Sequence, residues 1–377
     1  RRDFVVFGHK FEKVGTDRGF VTKRSGMGGE PAMPTRRQIL AGAAASLAFP
    51  LAAPHVARAA TIIDGGGRTV AIPARVDRVF PAGPPAAIKH YTLQPRSLLG
   101  WTRANRASEL IFLDPEIGAR PELGRLTGRG NTTNLEILVE LKPDLILDVG
   151  SVARTFVETA DRVQAQTGIA YALLDGRFDK IAESYRLHGL LTGETARADE
   201  LARYCEDVVN TCRSRVATVP ADQRPRVYYA RGPRGLDTGL GGSINVETIE
   251  FMGAINVAGE TRGGMATVSL EQVLAWDPEV IITIDQDFAR TVRSDPAWAT
   301  VRAVRDGRVH LSPKMPFGWV DFPPAVNRMP GLWWLGRLLY PSLFNEDLIS
   351  ITRDFYTRFY HRTPNDEQIA FVLEGRG

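Results

Sequence analysis

The sequence predicts an α/β protein built from two parallel-sheet lobes that are joined by one long, rigid α-helix. Two similar segments, 134–150 and 269–285, each place a short helix directly before an uninterrupted apolar strand. Such strands are typical of parallel sheets that helices cover on both faces. Between the two segments, residues 195–217 have the apolar periodicity of one helix of about 33 Å, which is long enough to connect two domains.

The chain opens with a leader, residues 1–60, that has the pattern of an export signal. Arg36 and Arg37 precede an apolar run of about 15 residues, and small residues follow it. This order is typical of a twin-arginine signal peptide. The apolar run is shorter than the roughly 20 residues that span a bilayer, which disfavours a membrane anchor. We therefore expect a periplasmic protein, with cleavage near Ala59 or Ala60.

The charge balance excludes nucleic acid as a partner of the folded part. The formal net charge of the 377 residues is +4, but residues 1–60 contain 10 of the 47 basic and 4 of the 43 acidic side chains. The remainder therefore has 37 basic and 39 acidic residues. A nucleic-acid-binding surface requires a basic excess, which is lacking here. The 44% hydrophobic and 24% charged content is ordinary for a globular protein.

Three regions follow the leader. We expect the first lobe over 61–178, a helical connector over 179–218 and the second lobe over 219–377. The first lobe begins with a strand, a Gly-rich turn and a second strand, "TIIDGGGRTVAIP", and continues through the strands "PDLILDV" and "GIAYALL". The strands of the second lobe are "RPRVYYA", "PEVIITI" and "GRVHLSP". The connector is helical apart from a break at 189–193.

The chain's two cysteines, Cys205 and Cys212, both fall in the connector. They belong to the apolar face of the predicted helix and lie roughly 10 Å apart along its axis. A disulfide tolerates a Cα separation of about 7 Å at most. The sequence therefore predicts two buried thiols rather than a disulfide or a metal site.

Several motifs occur in a fixed order, namely "DGGGRTVAIP" with "RVDRV", the twin segments "NLE...KPDLIL" and "SLE...DPEVII", "LTGETARADEL", and "WATVRAVRDGRVHLSP". Together they resemble the solute-binding components of ABC importers for ferric chelates and cobalamin. The resemblance extends from about residue 61 to residue 362. It implies two lobes that clasp one ligand in their cleft and deliver it to a membrane permease. We expect a monomer whose partners are that permease and a small-molecule metal chelate.

The resemblance also implies two docking residues. The family's docking carboxylates, one in each lobe, match Glu136 and Glu271 by their position in the repeated segments. From the residues alone, each glutamate stands in the first turn of a predicted helix, where the helix dipole favours a negative charge. Docking and simple helix stabilisation are therefore both open interpretations of this pair.

The ligand candidates come from the carboxyl ends of the predicted strands, where open α/β sheets bind their ligands. The ending "PFGWVDFPPAVNR...LWWLGRLLYP" resembles a subgroup assigned to iron-complex uptake, so we expect an iron(III) chelate of siderophore type. Such ligands are bulky and often anionic, and arginine forks and aromatic faces suit them. The candidate ligand-binding residues are Trp101, Arg103, Ser151, Arg231, Phe317, Gly318 and Trp319. Weaker candidates are Arg154, Arg234 and Lys314.

Other ligands and another function remain as alternatives. Haem, cobalamin, a nickel chelate or molybdate would fit the same transport role. An exported metal-dependent α/β hydrolase is the alternative from a different class. However, the sequence has no G-x-S-x-G elbow, and the histidines after the leader are not spaced as metal ligands on a helix. We therefore predict no catalytic residues, no metal site and no resident cofactor.

Overall fold

The computed structural model describes residues 60–128, 130 and 132–376. The predicted export signal, with its twin arginines, lies outside the described residues. The strands are β1 (Thr61–Ile63), β2 (Thr69–Ala71), β3 (Val79–Pro81), β4 (Leu145–Gly150), β5 (Ala170–Asp175), β6 (Arg226–Ala230), β7 (Asp237–Gly239), β8 (Ile255–Asn256), β9 (Met265–Thr267), β10 (Val280–Thr283) and β11 (Val309–Leu311). The helices are α1 (Pro84–Leu93), α2 (Ala107–Leu110), α3 (Pro115–Gly118), α4 (Leu135–Leu141), α5 (Arg154–Thr167), α6 (Ile181–Thr192), α7 (Thr195–Val216), α8 (Glu247–Phe251), α9 (Leu270–Trp276), α10 (Gln286–Thr291), α11 (Arg302–Arg305), α12 (Arg328–Leu339), α13 (Leu348–Tyr360) and α14 (Asp366–Leu373).

Two parallel sheets form the centres of the two lobes, which confirms the predicted fold class. The sheet of the first lobe has the order β3–β4–β5, and that of the second lobe has the order β11–β10–β6–β8. Every strand pair within these sheets is parallel. Both β4 and β10 are buried along their whole length. This burial explains why their sequences are continuously apolar rather than alternating.

The two repeated segments fold alike. Helices α4 and α9 each span seven residues and begin after a polar residue, Asn134 or Ser269, whose side chain accepts a backbone N–H of the first turn. Both helices end in a left-handed residue, Lys142 with φ 45° and Asp277 with φ 41°. Each is followed by the central strand of its lobe. The sequence repeat is therefore a structural repeat of one helix–strand unit.

The connector consists of two antiparallel helices, α6 and α7. Helix α7 has 22 residues, which corresponds to about 33 Å. Its buried stripe contains Leu201, Cys205, Val208 and Cys212. Both cysteines are free and buried, as the sequence predicts. The helix bears apolar residues along its whole length. It packs against both lobes and connects them as one uninterrupted helix.

The end of the chain returns from the second lobe to the first. Helix α13 packs against α1, and the Tyr91 hydroxyl donates to the Tyr360 carbonyl at 3.1 Å. One apolar cluster accordingly runs from α1 through α7 to α12 and α13. The stretch 219–377 thus supplies the second sheet and also a helix that covers the first lobe.

A buried arginine of the second lobe, Arg328, contacts the first lobe near the carboxyl end of β5. The Arg328 side chain is fully buried and donates to Glu247 Oε2 at 2.6 Å and to the Gly176 carbonyl. Its guanidinium also lies 4.3 Å from the centre of the Phe178 ring. A buried cation is stable only when its hydrogen bonds are satisfied in this way. These contacts tie the start of the connector to α8 and α12 of the second lobe.

One buried cation offers a stability prediction. Lys89 on α1 is 3% exposed, and its Nζ lies 3.3 Å from the centre of the Tyr185 ring. Burial lowers the pKa of Lys89 from 10.5 to about 7, although the nearby Cys205 opposes the shift. This pKa corresponds to about 5 kcal/mol against the charged form.

We expect Lys89→Met to raise the stability of the protein, most strongly at low pH. Because the pKa is lower in the folded state, the unfolded chain binds more protons between pH 7 and pH 10.5. The destabilisation caused by the buried charge is therefore complete below pH 7, and it decreases as the pH rises from 7 to 10.5. Thermal unfolding at pH 6 should show a Tm several degrees higher than wild type, with a smaller gain at pH 9.5. The matched control is Lys180→Met at an exposed lysine, which should leave Tm nearly unchanged. A lower Tm for Lys89→Met at both pH values would contradict this account.

Candidate ligand-binding site

A cavity of about 420 Å³ lies between the two lobes. The first lobe contributes the segment around α2, and the second lobe contributes the ends of β6, β10 and β11 with the proline-rich loop that follows β11. This is the position at which parallel sheets bind ligands, because the carboxyl ends of their strands leave loops free there. The lining residues are Arg103, Arg106, Glu109, Arg231, Gly232, Asp237, Ile284, Asp285, Gln286, Asp287, Lys314, Met315, Pro316, Phe317, Asp321 and Phe322.

The wall from the first lobe is built on a buried carboxylate. Glu109 is 3% exposed and accepts two hydrogen bonds from the Arg103 guanidinium, at 2.6 and 2.8 Å. The same carboxylate accepts the backbone N–H of Arg106 at 2.7 Å, at the start of α2. This bidentate pairing fixes the plane of the Arg103 guanidinium. Glu109 thus orients Arg103 and compensates its charge.

The wall from the second lobe is built on another buried carboxylate. Asp321 is fully buried and accepts from the Tyr229 hydroxyl and from the Asn245 amide, both at 2.8 Å. Arg231 Nη1 lies 3.3 Å from the same carboxylate. Three groups therefore bind Asp321, two from the end of β6 and one from the segment before α8. These contacts fix the proline-rich loop, which contains Asp321, against the end of β6.

Two further cations on the wall are not paired by the protein. Arg106 comes from the first lobe and Lys314 from the loop after β11. Among residues 60–128, 130 and 132–376, no carboxylate forms an ion pair with either side chain. Burial lowers the pKa of Lys314 and the positive charge of Arg106 lowers it further, while the negative charges of Asp285, Asp287 and Glu109 oppose the shift. The two cations therefore repel each other across the cleft, and a bound anion would relieve that repulsion.

The carboxylates of the wall are all used within the protein. Asp285 caps α10 by accepting the Phe288 N–H, Asp287 pairs with Arg290, and Asp237 accepts the Thr267 hydroxyl. Glu109 and Asp321 are bound as described above. The lining has four cationic and five anionic side chains, so its net charge does not select a negative ligand. The free donors of Arg106 and Lys314 are what distinguishes the site.

Three of the seven candidate ligand residues meet at this cavity. Arg103, Arg231 and Phe317 all line it, although they come from different lobes and from segments far apart in the chain. Arg103 is about half exposed, and Arg231 is largely covered by its neighbours. Their role in binding stays a prediction, and their position is compatible with it.

Both predicted tryptophans lie in the core instead of on the cavity wall. Trp101 is 2% exposed, and its indole N–H donates to the Ile117 carbonyl at 2.8 Å. Trp319 is fully buried within the large shared cluster. An indole is large and mostly apolar, so its burial stabilises the loop more than exposure at a cleft would. Trp101 still supports the site indirectly, because its ring contacts Phe317 at 5.8 Å between centroids.

Ser151 and Gly318 are also not on the cavity wall. Ser151 directly follows β4, and its hydroxyl accepts the Ala153 N–H at 3.3 Å, before α5 begins. Gly318 lies where the proline-rich loop folds back on itself. A Cβ atom at this position would stand 1.7 Å from the carbonyl oxygen of Asp321. Gly318 is therefore required by the close approach of two backbone segments.

Glu136 and Glu271 are exposed and occupy equivalent positions. Each is the second residue of its helix, in α4 or α9. The pKa of Glu271 is lowered by hydrogen bonds from the backbone N–H of Glu271 and from the Ser269 hydroxyl. Within the described part of the chain, neither glutamate forms an ion pair with a Lys or Arg side chain. Two equivalent carboxylates are thus available on the surface, one on each lobe.

The sequence interpretation overlooked Arg106, Glu109, Asp321 and Phe322 and gave Lys314 little weight. A surface arginine or a loop acid is common, so composition offers no signal for these side chains. The one usable signal was spacing, because Arg103, Arg106 and Glu109 recur every three residues around a short helix. Asp321 and Phe322 belong to the loop that the sequence did single out, but their orientation depends on how that loop folds.

Comparison with known proteins identifies the family. Residues 120–315, which are more than half of the chain, match the model of a family described as periplasmic binding protein. The chain belongs to the periplasmic binding protein family. Its relatives are solute-binding proteins of ABC transporters, which confirms the resemblance seen in the sequence. Proteins of this kind bind small ligands and work with an ABC transporter permease.

Individual relatives differ in the ligand that their names state. The molybdate-binding protein MolA of Haemophilus influenzae is 29% identical over 276 residues, which cover 66% of this chain and 77% of that protein. A cobalamin-binding protein of Halobacterium salinarum is 28% identical over 213 residues, covering 50% of this chain and 54% of that protein. The names of these relatives thus agree on the binding of a small solute and differ in which solute they state.

Solved structures support the two-lobed fold. An ABC transporter solute-binding protein from Sulfurospirillum deleyianum has 26% identity and a TM-score of 0.75, covering 83% of this chain and 98% of that one. The structure of Haemophilus influenzae MolA with bound molybdate has 25% identity and a TM-score of 0.68, covering 81% and 99%. Since these relatives are transport proteins, family membership supports a non-enzymatic role. Within the described residues, no helix is both long and apolar enough to cross a lipid bilayer.

Proposed function

We propose that this protein captures an anionic metal complex in the periplasm and delivers it to an ABC importer. An iron(III) chelate of siderophore type is the leading candidate for the ligand. The observation that carries the proposal is the pair Arg106 and Lys314, which line one cavity from opposite lobes and form no ion pair with any described carboxylate. A ligand that binds both cations would hold the lobes together, because it would replace their mutual repulsion with two attractions.

The cavity supports a chelate by its size and by its lining. About 420 Å³ lies within the usual range of roughly 300 to 1,000 Å³ for small-molecule sites. The wall combines cations with the apolar side chains Met315, Phe317 and Phe322. An anionic chelate presents both charged oxygens and organic surface, and this wall offers partners for each.

Molybdate is the second candidate. It is supported by the 29% identity to a protein named for molybdate binding, whose structure contains that anion. A small oxyanion would use the same two free cations and leave the apolar part of the wall unused. Cobalamin, haem and a nickel chelate share the transport role and serve as further probes.

We also propose that Glu136 and Glu271 dock the protein on its permease. Both carboxylates are exposed, form no ion pair with a described Lys or Arg side chain, and lie on matching helices of the two lobes. Such a contact requires both carboxylates to reach the permease together, so docking would depend on the distance between the two lobes. The contact would therefore depend on whether the lobes have closed on a ligand.

We expect the double variant Arg106→Gln/Lys314→Gln to bind the ligand about 100-fold more weakly. Each charged hydrogen bond is worth about 1.5 to 3 kcal/mol, and two of them give a change of at least this size. The measurement is a titration of the purified protein, from Ala60 onward, followed by tryptophan fluorescence or calorimetry. The panel comprises a ferric catecholate, a ferric hydroxamate, molybdate, haem, cobalamin and a nickel chelate.

A matched control removes the same two charges elsewhere. Arg162 and Lys180 are exposed and lie outside the cavity lining, so Arg162→Gln/Lys180→Gln should retain wild-type affinity. Equal affinity of both double variants for the bound probe would refute the role of Arg106 and Lys314. Mass spectrometry of the recovered ligand separates binding from the alternative of an exported hydrolase. A chemically altered chelate would favour the enzyme.

A further inference from the structure

Phe322 is the most exposed large apolar side chain among the described residues, at 63%. It stands on the wall of the cavity, in the loop between β11 and α12. Exposure of an aromatic ring to water is unfavourable in free energy. Burial of the ring against a ligand would remove that unfavourable term. An exposed ring at the rim of a binding cavity is therefore a place where a ligand can gain affinity.

The backbone of Phe322 is held in an unusual conformation. Its φ of 68° lies in the left-handed region, which non-glycine residues rarely adopt. Three other non-glycine residues of the described part have positive φ, namely Lys142, Asp277 and His361, and each of these ends a helix. Phe322 ends no helix. Such conformations persist where surrounding contacts impose them, and they cluster at functional sites.

The surrounding contacts at Phe322 are specific. The preceding residue, Asp321, is fully buried and bound by Tyr229, Asn245 and Arg231. Earlier in the same loop, only a glycine fits at position 318, because the Asp321 carbonyl lies against that residue. These contacts hold the backbone on both sides of the ring. The loop is thus built so that the Phe322 side chain projects outward.

The ring is placed beside a cation. The Arg231 guanidinium carbon lies 5.2 Å from the centre of the Phe322 ring. This contact uses one part of the aromatic surface and leaves most of the side chain in solvent. A planar ligand ring that carries negative oxygens could therefore stack on Phe322 while its charge faces the arginine.

We propose that Phe322 is a specificity-determining ligand contact that stacks on an aromatic ring of an anionic metal chelate. The ligand class is an aryl chelate of catecholate type, whose oxygens hold the metal and whose rings form the outer surface. This inference rests on the proposed function, since Arg106 and Lys314 bind the charge of the same ligand. It adds a role for a side chain that the charge argument does not require.

The test compares an aryl ligand with an anion that has no ring. A ferric tris-catecholate and molybdate are titrated into wild type, Phe322→Ala and Phe322→Tyr. Loss of the ring should weaken the catecholate about tenfold, which corresponds to about 1.4 kcal/mol, a usual size for one aromatic contact. Phe322→Tyr keeps the ring and should keep the affinity, and molybdate affinity should change by less than about twofold in either variant. Ile63→Ala, at an equally exposed residue of the β1–β2 hairpin, is the control for lost apolar surface.

Each result distinguishes this inference from the proposed function. Unchanged catecholate affinity in Phe322→Ala, or an equal loss for catecholate and molybdate, overturns the role of Phe322 and leaves the anion-binding function intact. Binding of molybdate with no binding of the catecholate overturns the ligand class and also leaves that function intact. No binding of any ferric chelate or of molybdate by wild type overturns both.

Discussion

Ligand uptake by cells is expected to cease when Glu136 and Glu271 are both replaced by lysine, while the ligand affinity of the purified protein stays unchanged. The two carboxylates lie in the first turns of α4 and α9, outside the cavity lining, so their replacement alters no contact of the ligand site. Docking carboxylates would attract basic residues on the permease, so lysines at both positions would turn two attractions into repulsions. Each single reversal should leave partial uptake, because the other lobe still docks.

The experiment measures uptake of the radiolabelled ligand in cells that carry each variant, beside a titration of the same purified variant. The matched control is Glu260→Lys/Glu367→Lys, which makes the same charge change at two other exposed glutamates. Normal uptake in the Glu136 and Glu271 double variant would refute docking through these residues. Loss of ligand affinity would instead show that the two helices influence the cleft.

Gly318→Ala is expected to destabilise the protein by about 3 kcal/mol and to weaken ligand binding. A Cβ atom at Gly318 would lie 1.7 Å from the Asp321 carbonyl oxygen and 3.0 Å from that of Phe322. Backbone atoms cannot rotate aside as a side chain can, so the loop must open to admit the methyl group. Opening the loop would move the Asp321 carboxylate away from Tyr229 and Arg231, which places the effect at the cavity as well.

Chemical denaturation and a ligand titration test this expectation together. Gly264→Ala is the control, because no heavy atom lies within 4 Å of a Cβ there and its φ is ordinary. That variant should match wild type in both measurements. A Gly318→Ala protein of wild-type stability would mean that the loop is more adaptable than its packing indicates.

The repeated helix–strand unit could be predicted because its signals are local. An N-cap, an acidic residue in the first turn, a short apolar face and a continuous apolar strand occur within 17 residues in each copy. The structure extends the match beyond the quoted motif. Asp144 Oδ2 accepts the backbone N–H of Arg78, and Glu279 Oε2 accepts that of Arg226. Both units are thus anchored alike at the start of a neighbouring strand of their sheet, β3 or β6. The connector was predictable for the same reason, since its periodicity lies within one helix.

The candidate site was predictable only where position in the fold implies position in space. Arg231 directly follows β6, and Phe317 lies in the loop after β11, so the rule about strand ends places both near the cleft. The same rule selects Trp319, which comes two residues later and is fully buried. Strand ends identify a segment as near the site, but they do not state which of its side chains point outward.

The sequence by itself determined the family, the two parallel-sheet lobes, the long connecting helix and the equivalence of Glu136 and Glu271. All of these depend on patterns between neighbouring residues or on repeated spacing. Only the tertiary structure decided that Trp101 and Trp319 are core residues, that Phe322 is exposed, and that Arg106 and Lys314 lie at one cavity without an ionic partner within the described residues. These outcomes depend on contacts between segments that are distant in the chain. Burial and ion pairing are properties of the packed fold. The sequence shows the same aromatic or cationic residue whether its side chain contacts water, a carboxylate or another ring.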